Sequence, residues 1–244
     1  MTARTLVGVG MGPGDPELVT VKAVRVLRSA DVVLVPVLAS DEPGRAEAVV
    51  RAHVDDDRVR RVVFALNERT DRGRREAAWD AAASTVVEVF QAGAGTVAFA
   101  TIGDPNIYST FTYLAQTVRE LVAELTVQTV PGITAMQDLA ARSGTVLCEG
   151  TESLALLPLT AGLPAFEKAL STADTVVAYK GGRRMPELLA ALRRHGRLYG
   201  AVYGAGLGLP EEDIRPAAEL PDAPAPYLST VIVPARRTTK GGRL

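Results

Sequence analysis

Residues 6–17 read Leu-Val-Gly-Val-Gly-Met-Gly-Pro-Gly-Asp-Pro-Glu, an apolar run that leads into a glycine-rich turn. The apolar run predicts a strand, and Asp15 followed by Pro16 is typical of an N-cap and the first residue of a helix. A second turn, Gly103-Asp104-Pro105, follows another short apolar run. Because ligands of open α/β sheets bind beyond the carboxyl ends of strands, the two turns predict a binding cleft lined mainly by backbone groups.

The first turn also has features of a dinucleotide-binding fingerprint, in which glycines let the backbone approach a pyrophosphate. Two residues argue against that interpretation. Pro13 has no N–H to donate to a phosphate, and Asp31 precedes the next predicted strand, whereas a ribose-binding acid belongs at the far end of a strand. A nucleoside-triphosphate loop fails as well, because no Lys-Ser/Thr pair follows the glycines. The remaining alternatives are a turn that only caps a helix and, less favoured, NAD(P) binding.

Length and composition limit the classes of protein to consider. The 244 residues suffice for one large or two small domains, and 47% apolar residues predict an ample core. With 27 basic and 28 acidic residues, the chain has no bulk electrostatic attraction to nucleic acid or a membrane. The lone cysteine, Cys148, excludes an internal disulfide, and we expect it to be an ordinary buried or half-buried thiol.

Neither a metal site nor a membrane span is expected. His53 and His195 lie far apart in the sequence and have no second cysteine to help them bind zinc. No apolar stretch approaches the ~20 residues that cross a bilayer, and the first apolar run is too short for a signal peptide. These features predict a soluble cytoplasmic protein that binds no metal, nucleic acid or membrane.

Short β-branched runs alternate with helical patterns, which predicts an α/β fold. The predicted strands are residues 5–9, 32–36, 59–64, 96–100, 126–130, 154–157, 175–179, 198–203 and 227–233. The predicted helices lie near residues 19–30, 79–90, 111–122, 135–143, 165–170 and 184–194. We expect two α/β domains, residues 1–118 and 119–234, followed by a frayed polar tail, residues 235–244.

Three motifs in order resemble those of the tetrapyrrole methylases, a family of two-domain S-adenosylmethionine-dependent enzymes. They are Gly10-Met11-Gly12-Pro13-Gly14-Asp15, Gly103-Asp104-Pro105 followed by Tyr108, and Val130-Pro131-Gly132-Ile133-Thr134-Ala135. The resemblance covers about residues 5–233. It implies a homodimer with an active site in the trough between the domains, the first domain on the tetrapyrrole side and the second sharing the S-adenosylmethionine site.

Within that family, the chain is most similar to the precorrin-2 C(20)-methyltransferases. The similarity rests on Tyr108-Ser109-Thr110, on Leu-Ala-Leu-Leu-Pro at 154–158 and on Pro-Tyr-Leu-Ser-Thr at 226–230. Pro36-Val37 stands where the uroporphyrinogen methyltransferases have Asp-Arg, which argues against their reaction. The resemblance implies methylation of precorrin-2 at C-20 to precorrin-3A in cobalamin biosynthesis. Methylation of another macrocycle carbon, a cobalt-containing substrate and a non-catalytic tetrapyrrole-binding protein remain alternatives.

The resemblance also implies which residues form the site. The expected contacts with S-adenosylmethionine are Pro13, Ile102, Gly103, Asp104, Ile107, Thr134, Ala135, Tyr179, Lys180, Ala205 and Thr230. The expected contacts with the tetrapyrrole are Gly12, Asp15 and Arg183. Tyr108 and Lys180 are the candidate catalytic residues, in electrostatic or proton-handling roles. For Asp104, capping of its own turn is the alternative.

The chemistry implied by the resemblance needs little acid–base machinery. A methyl sulfonium is already activated, so the enzyme contributes mainly proximity and orientation, worth about 7–11 kcal/mol in favourable cases. This agrees with motifs rich in Gly and Pro and with the lack of a Ser-His-Asp pattern. Arginines should bind the carboxylates of such a substrate. The arginines crowded into residues 51–75 alternate with acidic residues, so we expect most of them to form a solvated, salt-bridged surface.

Overall fold

The computed structural model of the protein describes residues 4–55, 57–64 and 72–237. The chain forms two compact units, unit 1 (Met1–Thr134) and unit 2 (Ala135–Leu244), each built around its own sheet. Both units combine helices and strands, so the expected α/β class is confirmed.

Unit 1 alternates strands and helices around a parallel sheet. Its five strands have the order β3-β2-β4-β1-β5. Its elements are β1 (Arg4–Gly10), α1 (Val21–Ser29), β2 (Val32–Val37), α2 (Arg45–Arg51), β3 (Val59–Val63), α3 (Arg72–Gln91), β4 (Thr96–Thr101), α4 (Phe111–Leu121) and β5 (Leu125–Val130). Because β1 lies between β4 and β5, the loops that follow these three strands leave the same edge of the sheet side by side.

Alternating apolar side chains fill the core on both faces of this sheet. Leu6, Leu34 and Phe99 pack against α3 and α4 on one face. Val33 and Val35 pack against α1 and α2 on the other. The central strands β1, β2 and β4 are therefore buried on both sides, which fixes their register and the positions of the loops at their ends.

Unit 2 contains a mixed sheet with the order β6-β7-β10-β8-β9. β6 and β7 are parallel, and the other neighbouring pairs are antiparallel. Its elements are α5 (Ala135–Ser143), β6 (Leu154–Pro158), α6 (Leu163–Thr172), β7 (Thr175–Tyr179), α7 (Met185–Arg194), β8 (Val202–Ala205), β9 (Asp213–Pro216) and β10 (Ser229–Val233). Its core joins Phe166 of α6 and Leu188 and Leu192 of α7 to Val176 and Val231 of the sheet.

The boundary between the units lies after Thr134, so the predicted boundary between residues 118 and 119 is wrong. The reason is the pairing of β5. Leu6 of β1 is aligned with Val127, and Val9 with Val130, so β5 forms an edge of the first sheet. The segment up to Thr134 therefore belongs to unit 1, and α5 opens unit 2.

Several predicted boundaries in unit 2 also change. Residues 198–201 form a turn, closed by the N–H of Ala201 on the carbonyl oxygen of Leu198 at 3.1 Å, so β8 begins at Val202 and not at 198. Residues 227–228 form another turn, and β10 begins at Ser229. The prediction missed α2 and β9 altogether, because both are short and rich in charged residues.

The polar tail is anchored over residues 235–237, where the predicted fraying is wrong. The guanidinium of Arg236 donates to the carbonyl oxygen of His195 at 3.3 Å, and that of Arg237 donates to the carboxylate of Glu152 at 3.0 Å. Residues 238–244 lie outside the described part of the chain. Cys148 is exposed, so the expectation of a buried or half-buried thiol is also wrong.

Candidate functional site

The three sequence motifs meet at the strand ends of unit 1 through three glycines, Gly10, Gly103 and Gly132, which we call the glycine junction. A Cβ added to Gly10 would lie 2.5 Å from the nitrogen of Gly132 and 2.7 Å from the oxygen of Gly103. A Cβ added to Gly132 would lie 2.1 Å from the same oxygen. Backbone thus packs directly on backbone, which requires glycine at positions 10 and 132.

Hydrogen bonds hold the first two motifs in the same place. The N–H of Met11 donates to the carbonyl oxygen of Thr101 at 2.9 Å. The N–H of Gly103 donates to the carbonyl oxygen of Gly12 at 2.7 Å. Gly12 is buried with a φ of 71°, and a Cβ there would lie 2.6 Å from the oxygen of Leu18. The backbone of the first motif therefore stays hydrogen-bonded to that of the second motif beyond the ends of β1 and β4.

Asp104 joins the second motif to the third. Its Oδ1 accepts from the N–H of Asn106 at 2.8 Å, and its Oδ2 accepts from the N–H of Gly132 at 3.0 Å. The carboxylate therefore caps its own turn, as the alternative interpretation has it. Each oxygen retains capacity for a further donor, so a role in cofactor binding is compatible with this geometry.

The backbone beside Gly103 leaves room for a ligand. Gly103 has a φ of 71°, and no heavy atom lies within 4 Å of the position that its Cβ would occupy. Ile102 and Ile107, on either side of the turn, are half-buried, as is Pro13 of the first motif. Unit 1 thus brings five expected cofactor residues to the loops around the glycine junction: Pro13, Ile102, Gly103, Asp104 and Ile107.

Asp15 and Asp31 have structural roles. Asp15 caps a single-turn 3₁₀ helix (Pro16–Leu18) by accepting from the N–H of Glu17 at 2.9 Å. The predicted cap is therefore confirmed, but for this turn and not for α1, which Thr20 caps. The carboxylate of Asp31 accepts from two backbone N–H groups at the start of β4, at 2.9 and 2.8 Å. These bonds hold Asp31 at the start of β4, whereas a ribose would bind at the carboxyl ends of the strands. The position of Asp31 therefore argues against the dinucleotide alternative.

Tyr108 lies in the loop after the second motif in an unusual backbone conformation. Its φ is 51°, in the left-handed region that few residues other than glycine adopt. Such conformations cost free energy and concentrate at functional sites. Burial raises the pKa of the Tyr108 phenol, although its side chain is partly exposed. The hydroxyl is therefore protonated at neutral pH and can act as a hydrogen-bond donor.

Unit 2 brings a second group of expected residues to one end of its sheet. The register of β7, β10 and β8 aligns Tyr179 with Thr230 and Ala205 with Ser229. Tyr179, Ala205 and Thr230 are all buried. The hydroxyl of Tyr179 accepts from the N–H of Met136 at 2.9 Å, which places Ala135, the first residue of α5, in the same group.

Lys180 follows β7, also in the left-handed region, with a φ of 58°. Its N–H donates to the carbonyl oxygen of Ser229 at 3.2 Å. Its Nζ lies 5.9 Å from the centroid of the Tyr227 ring, within the range of a cation–π contact. Tyr108 and Lys180, the two candidate catalytic residues, are thus two of the three non-glycine residues with positive φ in the described ranges.

Arg183 and Arg184 are adjacent but differ in their contacts. Arg184 forms an ion pair with Glu187 at 2.6 Å. Arg183 is exposed and makes no hydrogen bond or ion pair with any residue in ranges 4–55, 57–64 and 72–237. Its guanidinium is therefore available to a carboxylate, which the expected substrate contact requires.

Three of the described arginines between residues 51 and 75 bind the protein's own groups, namely Arg51, Arg58 and Arg61. Arg51 and Arg61 each contact the buried carboxylate of Glu47 at 2.8 Å. Burial raises the pKa of Glu47, but the hydrogen bonds from Arg61 and Arg51 outweigh it, and the net pKa is lowered. The predicted salt-bridged surface is confirmed for these two residues. Arg69 and the side chains of Arg72, Arg74 and Arg75 lie outside the described part of the structure.

The described residues, 4–55, 57–64 and 72–237, include neither a membrane span nor a metal cluster. No helix among them is both long and apolar enough to cross a bilayer. No group of three or more His, Cys, Asp or Glu side chains among them is placed to hold a metal ion.

A family model described as "Tetrapyrrole (Corrin/Porphyrin) Methylases" matches residues 5–221. The chain belongs to this family. It is 34% identical over 236 residues to a precorrin-2 C(20)-methyltransferase of a Sinorhizobium species, with 94% of each chain covered. It is 31% identical over 231 residues to the cobalt-precorrin-2 C(20)-methyltransferase of Salmonella typhimurium, with 93% of this chain and 95% of the relative covered.

The fold is also that of a solved tetrapyrrole methylase. The chain is similar to the uroporphyrin-III C-methyl transferase of Thermus thermophilus complexed with S-adenyl homocysteine, with a TM-score of 0.63 and 22% identity. The match covers 94% of this chain and 96% of that one. The resemblance inferred from the three motifs is therefore confirmed at the level of family and fold.

Proposed function

We propose that this chain is an S-adenosylmethionine-dependent methyltransferase that methylates precorrin-2 at C-20, giving precorrin-3A in cobalamin biosynthesis. The observation that carries the proposal is its similarity, over more than nine tenths of each chain, to two C(20)-methyltransferases. The glycine junction supports it, because the family's three motifs meet there. Pro36-Val37, in place of an Asp-Arg pair, argues against the uroporphyrinogen reaction.

The residues present fit S-adenosylmethionine. The open space beside Gly103 is a cradle that a Cβ would fill, and it lets a ligand lie against the backbone. Backbone groups and the carboxylate of Asp104 can accept from ribose hydroxyls and amino groups, and we propose the buried residues Thr134 and Thr230 as further contacts. We propose that the residues that hold the cofactor are Pro13, Ile102, Gly103, Asp104, Ile107, Thr134, Ala135, Tyr179, Lys180, Ala205 and Thr230.

The chain's own part in the reaction is mainly positioning. When bound, the cofactor supplies an activated methyl group, whose bond to sulfur is exchanged for one to the electron-rich meso carbon; the electron pair stays on sulfur and the C-20 proton is lost to water. The protein's part is to hold the meso carbon close to the methyl group in the orientation that a displacement requires, an effect worth about 7–11 kcal/mol in favourable cases. No acid–base dyad is needed for this.

Tyr108 and Lys180 are proposed to assist electrostatically. The hydroxyl of Tyr108, a protonated phenol whose pKa burial raises further, donates a hydrogen bond to the macrocycle. The ammonium of Lys180 provides positive charge close to the buried end of β7. Both residues have a positive φ, a conformation that costs free energy and concentrates at functional sites, which supports roles beyond local structure.

Arg183 is proposed to bind a carboxylate of the tetrapyrrole. A guanidinium without an ion-pair partner in the described ranges suits bidentate binding of a carboxylate. Gly12 and Asp15 are proposed as further substrate contacts. We also propose that the protein is a cytoplasmic homodimer, which light scattering of the purified chain would test through a mass twice that of one chain.

Calorimetric titration with S-adenosylhomocysteine, NAD and NADP tests the class of enzyme. The proposal predicts saturable binding of S-adenosylhomocysteine and none of either dinucleotide; the reverse pattern would contradict it. Turnover of metal-free precorrin-2 and of cobalt-precorrin-2 is then compared under identical conditions. The proposal predicts faster methylation of the metal-free macrocycle, and methylation of the cobalt form alone would reassign the substrate.

A further inference from the structure

Helix α5 carries a charged cluster that the proposed function does not use. We call Asp138, Arg142 and Glu212 the Asp138 network. Oδ1 of Asp138 accepts from Nε of Arg142 at 2.8 Å, and Nη1 of Arg142 donates to Glu212 at 3.0 Å. The second carboxylate oxygen of Glu212 accepts from the N–H of Gly208 at 2.8 Å. These contacts join α5 to the loop between β8 and β9.

The Asp138 network is poorly suited to stabilising the fold. Two carboxylates share one guanidinium, and the side chain of Asp138 is only 4% exposed. Its Oδ2 is buried and has no hydrogen-bond partner in the described part of the chain. Burying an unpartnered charged oxygen costs free energy, and an apolar residue would pack α5 on the sheet without that cost. The arrangement therefore points to control of geometry.

The loop that the network holds begins directly after Ala205, a proposed cofactor contact. Residues 206–212 turn tightly, since the N–H of Leu209 donates to the oxygen of Gly206 at 2.9 Å. Gly206 and Gly208 have φ values of 61° and 72°, conformations that glycine adopts readily. Without an external attachment, a loop with two such glycines would have much conformational freedom.

A second contact from α5 reaches the strand before the loop. A Cβ on Gly204 would lie 2.7 Å from Cδ1 of Leu139, so the Leu139 side chain packs directly on the backbone of β8. Gly204 is aligned with Thr230, another proposed cofactor contact. Adjacent residues of α5, Asp138 and Leu139, therefore fix both ends of the segment that contains Ala205.

We propose that Asp138 and Arg142 are positioning residues of the cofactor site. Acting through Glu212 and the N–H of Gly208, they hold the loop 206–212 so that Ala205 and Thr230 keep the backbone geometry that binds the cofactor. This inference rests on the proposed function, because it assigns the network to the same cofactor. Arg142 and Glu212 are partly exposed, so salt screens their contact and should weaken cofactor binding.

The test measures the dissociation constant of S-adenosylhomocysteine for the full chain by calorimetry, at low and high salt, alongside thermal unfolding. Arg142→Ala is expected to weaken binding about tenfold, and Arg142→Lys to recover most of that loss. The matched control is Arg215→Ala, which removes an exposed ion pair with Asp213 on the same hairpin; no hydrogen bond or ion pair joins Arg215 to the described residues of α5. It should leave the dissociation constant within about twofold.

Steady-state kinetics separate positioning from catalysis. The expected loss in Arg142→Ala lies in the KM for S-adenosylmethionine, while kcat at saturation changes less than about twofold, and the salt dependence of binding becomes weaker. If Arg142→Ala does not fold, Glu212→Gln replaces it, since glutamine can still accept from Gly208 but loses the charge facing Arg142. It is expected to weaken binding about threefold.

Each other outcome overturns the inference. Unchanged binding by Arg142→Ala or Glu212→Gln, an equal loss in Arg215→Ala, or no recovery in Arg142→Lys would show that the network serves folding alone. The proposed function fails separately and visibly: the wild-type chain would then bind no S-adenosylhomocysteine, and the inference would fall with it. Binding by the wild type together with equal binding by the variants sinks the inference only.

Discussion

The strand ends of unit 1 are held by backbone packed on backbone, with one side-chain link from Asp104 to Gly132, whereas those of unit 2 are held by side chains. In unit 1 the glycine junction leaves no room for a Cβ on Gly10 or Gly132. In unit 2 the Tyr179 hydroxyl binds the start of α5, and Arg142 links α5 to the β8–β9 loop. Both arrangements fix loops at the end of a sheet, but they differ in how they respond to substitution.

This difference indicates how each unit will fail. No other residue fits where the Cα of a glycine contacts another backbone, so replacing that glycine lowers the free energy of unfolding in one large step. A hydrogen bond between side chains can be weakened in steps, with each step costing about 1 kcal/mol. We therefore expect abrupt losses of stability at the glycine junction and graded losses of stability or binding in unit 2.

The largest effect is expected from one methyl group in the glycine junction. Gly132→Ala places a Cβ 2.1 Å from the oxygen of Gly103, and this overpacking should lower the free energy of unfolding by about 3 kcal/mol. The control Gly103→Ala meets no atom and bears only the cost of its φ of 71°, about 1–2 kcal/mol. Urea unfolding compares the two variants, and equal losses would break the steric account.

Glu47 sharpens the comparison, because away from its glycines unit 1 also depends on side chains. Its pKa is lowered on folding, so its contribution is full above its unfolded pKa of about 4.3 and is lost as pH falls through the folded value. Glu47→Gln should cost about 2 kcal/mol at pH 7, since two charged hydrogen bonds weaken, and progressively less below about pH 4.

Denaturant unfolding at several pH values measures this difference. The control is Asp55→Asn, which removes the exposed second partner of Arg51 and should change stability by less than about 0.5 kcal/mol. A cost for Glu47→Gln that is independent of pH would mean that the charge of Glu47 does not matter.

Arg183 tests whether the exposed end of unit 2 serves substrate binding. Arg183→Ala should raise the KM for the tetrapyrrole about tenfold, the equivalent of about 1.4 kcal/mol, and leave thermal stability unchanged. Arg184→Ala is the neighbouring control, because Arg184 is engaged by Glu187. A similar KM for both variants and the wild type would remove Arg183 from the substrate site.

The smallest effect is expected from a single oxygen atom in unit 2. Tyr179→Phe removes the acceptor of the Met136 N–H and should lower the free energy of unfolding by about 1 kcal/mol. Tyr199→Phe is the control, since Tyr199 is 91% exposed. Thermal unfolding compares them, and no loss in Tyr179→Phe would mean that the start of α5 is held by other contacts.

The sequence was informative where geometry demands one residue type. The turn glycines at 10, 103 and 132 are recognisable from the sequence, because close backbone contacts or a positive φ require glycine there and so produce a motif. The helices with broad apolar faces, α1 and α4, were also predicted closely. The sequence does not indicate which sheet β5 joins, because its apolar alternation suits a strand of either sheet. The predicted domain boundary is wrong for that reason.

The long-range contacts of the side-chain networks leave no signal in the sequence. Arg142 and Glu212 are 70 residues apart, and Arg237 and Glu152 are 85 apart, so their pairing depends on the finished fold. Each is an ordinary charged residue by composition. The anchoring of residues 235–237 was missed for the same reason, and so was the buried Glu47, whose partner Arg61 lies on another element.

The most direct test of C-20 methylation uses S-adenosylmethionine labelled with ¹³C at its methyl group. The wild-type chain is incubated with this cofactor and precorrin-2, and the product is examined by mass spectrometry and ¹³C NMR. The account predicts a single added methyl group, with the label on the C-20 meso carbon. A label on any other carbon, or an unchanged macrocycle with active cofactor present, would contradict it.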